Sequence, residues 1–166
     1  EIYGCGLKAG NIAKFETNSE IVRAIVCTLF HSDVEAIAYN GKYDLKCLLS
    51  AGLISSDDMP INTLRDPMVA INLLDDNRRP AELGLKKVIH DAKGKTMRTF
   101  KDASKNGLHT EEFRLYALDD VIEEYWLWDY VKPKLAPEGL WDIFAKILMP
   151  VSCIFAEMEF VGIKWD

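Results

Sequence analysis

Residues 111–127 contain no glycine and no proline, and their apolar side chains recur at helical steps. Leu115, Leu118, Ile122, Tyr125 and Trp126 follow intervals of three and four, which predicts an amphipathic helix with that stripe against a core. Tyr116 and Asp120 are four apart, so they share one face, a turn from each other. A second pair upstream has the same spacing. Asn40 and Asp44 fall where a strand-like run gives way to a helical one. An amide with a carboxylate, and a phenol with a carboxylate, suit a divalent-metal site acting on a phosphodiester.

The chain has 166 residues, enough for one domain of ordinary size, and 49% hydrophobic residues, enough for a packed core. No run of 18 apolar residues occurs, so no membrane span is expected. The first residues, Glu-Ile-Tyr-Gly-Cys-Gly-Leu, do not read as a signal peptide. Cys5, Cys27, Cys47 and Cys153 form no CxxC pair and sit in apolar runs, which predicts reduced, buried thiols in an intracellular, reducing compartment. The net charge of −6 argues against a surface that coats nucleic acid generally. It does not argue against a site that holds nucleic acid through metal ions, because such a site concentrates acids.

Residues 1–7 and 12–15 read as strands around the turn at Lys8-Ala9-Gly10-Asn11. Gly4-x-Gly6-x-x-Ala9 resembles a dinucleotide fingerprint, but a second β-like run follows it where a helix should open. A helix over 19–31 is capped by Asn18 or Ser19, with Ile21, Ile25, Val26 and Leu29 as its buried stripe. A buried strand over 34–39, a helix over 42–51 and a strand over 61–65 follow. Asp66-Pro67 starts a helix that reaches Leu74, and a polar loop runs from Asp75 to Pro80. A further helix over 82–92 ends at Lys93-Gly94. Residues 95–109 are the most basic stretch, with Phe100 among Lys95, Arg98, Lys101 and Lys105, a composition suited to phosphates and a stacked base. After a break at 132–139, a helix over 140–160 carries Trp141, Phe144, Ile147, Leu148, Val151, Ile154, Phe155 and Met158, with a kink expected at Pro150. The alternation implies α/β with a mixed, largely parallel sheet flanked by helices. His31, His90 and His109 have no metal-ligand spacing between them.

Asn40-x-x-x-Asp44 and Tyr116-x-x-x-Asp120 resemble the second and third exonuclease motifs of the proofreading domain in family A DNA polymerases. The stretches between them are similar too: Asp66-Pro67-Met68 with Leu73-Leu74-Asp75, Arg79 before Leu83-Gly84-Leu85-Lys86, and Thr99-Phe100-Lys101-Asp102. The tail from Met149 to Asp166 resembles the start of the polymerase domain. The sister branch of the superfamily carries His one residue before Tyr116; here Leu115 stands there.

The resemblance implies a ribonuclease H-like exonuclease fold over 1–135, and over 136–166 a connecting helix leading into the polymerase domain. It implies 3′→5′ removal of nucleotides from a single-stranded or frayed DNA end, with two divalent ions, Mg²⁺ or Mn²⁺. Asp120 then binds the first metal and Asp44 serves the second, through water. Tyr116 orients the attacking water, Asn40 contacts the terminal nucleotide and Phe100 packs beside the frayed end. The family's first motif, Asp-x-Glu on its first strand, has no counterpart here; Glu1 does not fit it, because Tyr3-Gly4-Cys5-Gly6-Leu7 resembles the next strand. The chain is therefore expected to begin just after that motif. Alone it is expected to bind metal weakly and to lack a central strand. Two other functions remain open: an inactive exonuclease-like scaffold beside a polymerase, and an RNA-trimming exonuclease of the same superfamily.

Overall fold

The computed structural model describes residues 4–75 and 79–162. Residues 1–3 of the first predicted strand, 76–78 of the polar loop and 163–166 of the tail lie outside the described residues. The N-terminal hairpin pairs β1 (Cys5–Ala9) with β2 (Ile12–Glu16) antiparallel, Cys5 opposite Glu16. α1 (Ser19–Phe30) follows, with the Asn18 carboxamide accepting from the Glu20 and Ile21 N–H groups. β3 (Ala36–Ile37) leads into α2 (Gly41–Ser50), and β4 (Leu64–Arg65) returns parallel to β3 before α3 (Pro67–Leu74). The chain is thus α/β, and its described strands form two separate two-stranded sheets rather than one larger mixed sheet.

α4 (Leu85–Lys93) ends at Gly94, whose φ of 70° is the left-handed geometry that glycine adopts without strain. It starts three residues later than the sequence predicts, because Pro80–Glu82 forms a 3₁₀ turn first. The basic stretch holds one short helix, α5 (Phe100–Ala103), capped by Thr99. The predicted central helix becomes α6 (Glu111–Leu135), which passes through Pro133 and breaks after Leu135. The final helix has three parts: α7 (Trp141–Ile143), a π-helical turn (Phe144–Leu148) and α8 (Met149–Val161).

The core is mostly helix against helix: α2 on α8 and α3 on α6, with the hairpin also laid on α6. Three predicted stripes are corrected. In α1 the buried residues are Val22 and Val26, while Ile21 and Ile25 are exposed, so the inward face lies about one residue away from the predicted one. In α8 and its π turn the buried set is Phe144, Met149, Cys153 and Ala156; Ile147, Ile154, Phe155 and Met158 are exposed. A π turn takes up an extra residue, so every later position rotates by roughly 100° relative to an unbroken α-helix. The sequence places Pro150 just past that turn, where its missing N–H is accommodated.

In α6 the buried residues lie in the second half, at Leu127, Trp128, Val131 and Leu135. The first half exposes Leu115 and Ile122 and instead meets β1 beside Val121. A Cβ built on Gly6 would lie 3.0 Å from Val121 Cγ1 and 3.1 Å from the Ala117 carbonyl oxygen. Gly6→Val is therefore expected to push the hairpin off α6 and lower stability by about 1–3 kcal/mol. An unchanged denaturation midpoint would show that β1 does not bear on α6. All four cysteines are free thiols, but only Cys153 is fully buried; Cys5, Cys27 and Cys47 keep some exposure. No described helix is long and apolar enough to cross a membrane.

Candidate active site

Asp66 organises the first half of the site. It caps α3, is 1% exposed, and its carboxylate accepts from the backbone N–H groups of Met68 (2.9 Å), Asn40 (3.1 Å) and Gly41 (2.9 Å). Those bonds pin the turn between β3 and α2. Asn40 sits there at φ 57°, ψ 44°, the left-handed region, and is the non-glycine residue with positive φ among those described. Asparagine is one of the few side chains that tolerates this geometry. Asn40 thus has a backbone reason to be asparagine, beside any contact with a ligand. Asn40→Gly is expected to keep full stability, while Asn40→Ala loses about 1–2 kcal/mol. Thermal denaturation of the two variants separates these, and equal losses would contradict the backbone role. Asp44 lies one turn further, in the first turn of α2.

The second half comes from α6. Desolvation first, and then the neighbouring Asp120 carboxylate, raise the Tyr116 phenol above its ordinary value. Tyr116 therefore stays protonated near neutral pH and acts as a hydrogen-bonding group. Asp120 Oδ1 accepts from Lys86 Nζ at 2.8 Å, and the same ammonium stands 4.5 Å from the centre of the Tyr116 ring. Phe100 of α5 is 56% exposed and meets Tyr116 edge-on at 6.4 Å and Phe113 at 5.9 Å. Phe113 in turn meets Phe15 of β2, so the basic stretch is anchored to the hairpin through aromatic rings. Asp119 points elsewhere: it and the buried Glu123 pair with Lys95, and Glu123 also with Lys93.

Glu124 joins the two halves, and sequence reasoning missed it. Its carboxyl lies near the Tyr39 backbone, next to Asn40. Its pKa is pushed up to about 8, by desolvation first and then by the charges of Asp44, Asp120 and Asp66. Desolvation, then Asp66, pushes Asp44 up to about 7. Asp66 rises to about 6, because burial outweighs the N–H groups that pull it down. Cys5 of β1 lies within reach of the same charges: burial, then Asp44 and Glu124, raise its thiol to about 11. The available signal was the helical step itself, since Tyr116, Asp120 and Glu124 are successive i, i+4 positions.

The five predicted residues, Asn40, Asp44, Phe100, Tyr116 and Asp120, therefore fall in one connected region. As donors, the four carboxylates suit a hard divalent cation: oxygen ligands whose crowded charges disfavour one another's ionisation. Their present arrangement does not. Among the described residues, no group of three or more His, Cys, Asp or Glu side chains is placed to hold a metal ion. Asp66 is committed to backbone N–H groups and Asp120 to Lys86. A separate pocket of about 220 Å³, lined by Ile71, Val88, Leu127 and Val131, contains none of the predicted site residues.

A carboxyl whose folded pKa exceeds its unfolded value keeps its proton longer when folded. The contribution of Glu124 to stability is thus full below about 4.5 and is lost as pH rises towards about 8. Asp44 and Asp66 act with the same sign. With chelator present, the unfolding free energy is expected to fall between pH 5 and 8, by no more than roughly 1.4 kcal/mol per pH unit for each proton, and the melting temperature falls with it. Glu124→Gln should flatten that slope. A rise across the window would contradict the crowding of these acids.

Comparison with models of known protein families, with curated proteins and with solved structures finds no match for the chain.

Proposed function

We propose that this chain is the proofreading 3′→5′ exonuclease portion of a family A DNA polymerase, with a ribonuclease H-like fold, acting on a single-stranded or frayed DNA 3′ end. The observation that carries this reading is the meeting of two distant motifs. α6, which carries Tyr116 and Asp120, packs on β3, the strand that leads into Asn40 and Asp44, and the charges of Asp44 and Asp120 both act on Glu124. An accidental pair of i, i+4 spacings has no reason to converge in this way.

Asp120 and Asp44 are the groups that would hold divalent ions, Mg²⁺ or Mn²⁺. Such ions, when bound, supply charge neutralisation at the phosphate and activation of water. The chain's own residues account for the remaining roles. Tyr116, protonated, offers a hydroxyl that orients a water molecule through hydrogen bonds. The exposed face of Phe100 offers a stacking surface for a base. Arg98, Lys101 and Lys105 lie along the same stretch and attract the phosphates upstream of the end. The apolar side chains exposed on α8 suit packing against a following polymerase domain.

A second reading, an inactive scaffold beside a polymerase, is favoured by one observation: Asp120 is already paired with Lys86. Incubation of the full-length protein with single-stranded DNA and with RNA of the same sequence, in Mg²⁺, separates the readings. Shortening of the DNA and sparing of the RNA is the expected result. Shortening of the RNA alone would move the assignment to RNA trimming. No shortening of either by folded protein would favour the scaffold.

A further inference from the structure

We propose that Lys86 is a tethered counter-ion that competes with a divalent cation for Asp120, and so sets how readily the site loads metal. This rests on the metal-dependent reading above. The geometry is specific. Lys86 Nζ sits 2.8 Å from Asp120 Oδ1 and 4.5 Å from the Tyr116 ring centre. One ammonium therefore touches both partners of the α6 motif.

Its position on α4 is otherwise unfavourable. Lys86 lies in the first turn of that helix, a turn with no acidic residue. The positive end of a helix dipole repels a cation there. Asp120 and the face of the Tyr116 ring are what hold the charge in that place. The ammonium also brings a positive charge to the Asp120 carboxylate, the same sign that a divalent ion would bring. Among the described residues no three such ligands are placed together, and Asp120 is turned to a lysine. The pair is partly solvated, its side chains 29% and 20% exposed, and a single N–H···O bond joins it, so exchange for a divalent ion needs no unfolding.

Mn²⁺ titration of the full-length protein, followed by the electron paramagnetic resonance signal of free Mn²⁺, tests this without any substrate. Lys86→Met and Lys86→Gln are expected to bind Mn²⁺ about fivefold more tightly than wild type, the factor that matches ~1 kcal/mol for a partly exposed pair. Lys86→Arg, which keeps the charge, should stay within about twofold of wild type. So should Lys87→Met, which removes the same charge from the next position of α4, where Lys87 pairs with Asp91 instead. In an Asp120→Asn background, Lys86→Met should change the affinity by less than about twofold, because the contested ligand is gone.

Unchanged Mn²⁺ affinity in both Lys86→Met and Lys86→Gln, against measurable binding by wild type, would overturn the counter-ion role and leave the metal reading standing. Equal tightening by Lys87→Met, or tightening that persists with Asp120→Asn, would reduce the effect to net charge and overturn it too. No Mn²⁺ binding by any of the proteins would remove the metal reading together with this inference.

Discussion

Asp120→Ala is expected to lower nuclease activity on single-stranded DNA by on the order of 10³-fold, the size of effect seen when one preorganised electrostatic group is removed from a site of this kind. The fold should survive. Asp120 is half-buried on the N-terminal half of α6, while the buried residues of that helix lie mostly beyond it. The substitution also frees Lys86 and takes a carboxylate away from beside Tyr116. A structural readout should therefore change little while the rate collapses. Initial rates beside circular dichroism of the same samples check both halves. Activity within about tenfold of wild type would mean that Asp120 is not at the reacting centre.

The largest stability effect is expected at Trp128. It is 2% exposed on the second half of α6, stacks on the fully buried Phe144 at 5.6 Å, and donates from Nε1 to Glu35 Oε2 at 3.1 Å. Glu35 also takes Arg65 of β4 and Lys132 of α6, so this ring ties the parallel strand pair and the final helix to one point. Trp128→Ala should lower unfolding free energy by about 3–5 kcal/mol, through lost burial and an incompletely closed cavity. Domains of ordinary size have only about 5–15 kcal/mol in hand, so the variant would stand near the edge of folding. Trp128→Phe keeps the ring contact and loses the hydrogen bond, and should lose roughly 1–2 kcal/mol. Equilibrium denaturation measures both. Equal losses for the two would place the weight on the Glu35 bond rather than on packing.

The starts of α1 and α3 and the end of α4 were legible because local chemistry writes them. Asn18 and Asp66 cap their helices with side-chain oxygens, and Gly94 ends one in left-handed geometry. The short helix after Thr99 was not, nor was the passage of α6 through Pro133. The faces were less legible. A stripe drawn at 3.6 residues per turn assumes unbroken α geometry, and the π turn over Phe144–Leu148 violates that assumption midway. In α6 the apolar stripe at Leu115 to Ile122 was real in sequence, but the tertiary packing uses Val121 against Gly6 instead. Sheet extent was not readable either, since the predicted strands over 34–39 and 61–65 pair through Ala36–Ile37 and Leu64–Arg65 alone.

The candidate site shows the same division. Asn40, Asp44, Tyr116 and Asp120 could be chosen by type and spacing, and the fold brings them into one region. Glu124 shares the helical step of Tyr116 and Asp120, but neither its burial nor the approach of Lys86 shows in that step. Both depend on how α6 lies against β3 and α4, contacts that no local pattern encodes. Asp66 was visible as a helix start, yet its hold on the Asn40 turn is a tertiary fact.

The proposed activity of this region is removal of nucleotides from DNA 3′ ends. It is tested most directly by a single-stranded DNA labelled on its 3′-terminal nucleotide, incubated with the full-length protein in Mg²⁺ and, in parallel, with chelator. Release of the label as a nucleoside monophosphate before any internal cleavage, and only with Mg²⁺, is the predicted result. Retention of the label by folded protein, or release inside longer fragments, would contradict it.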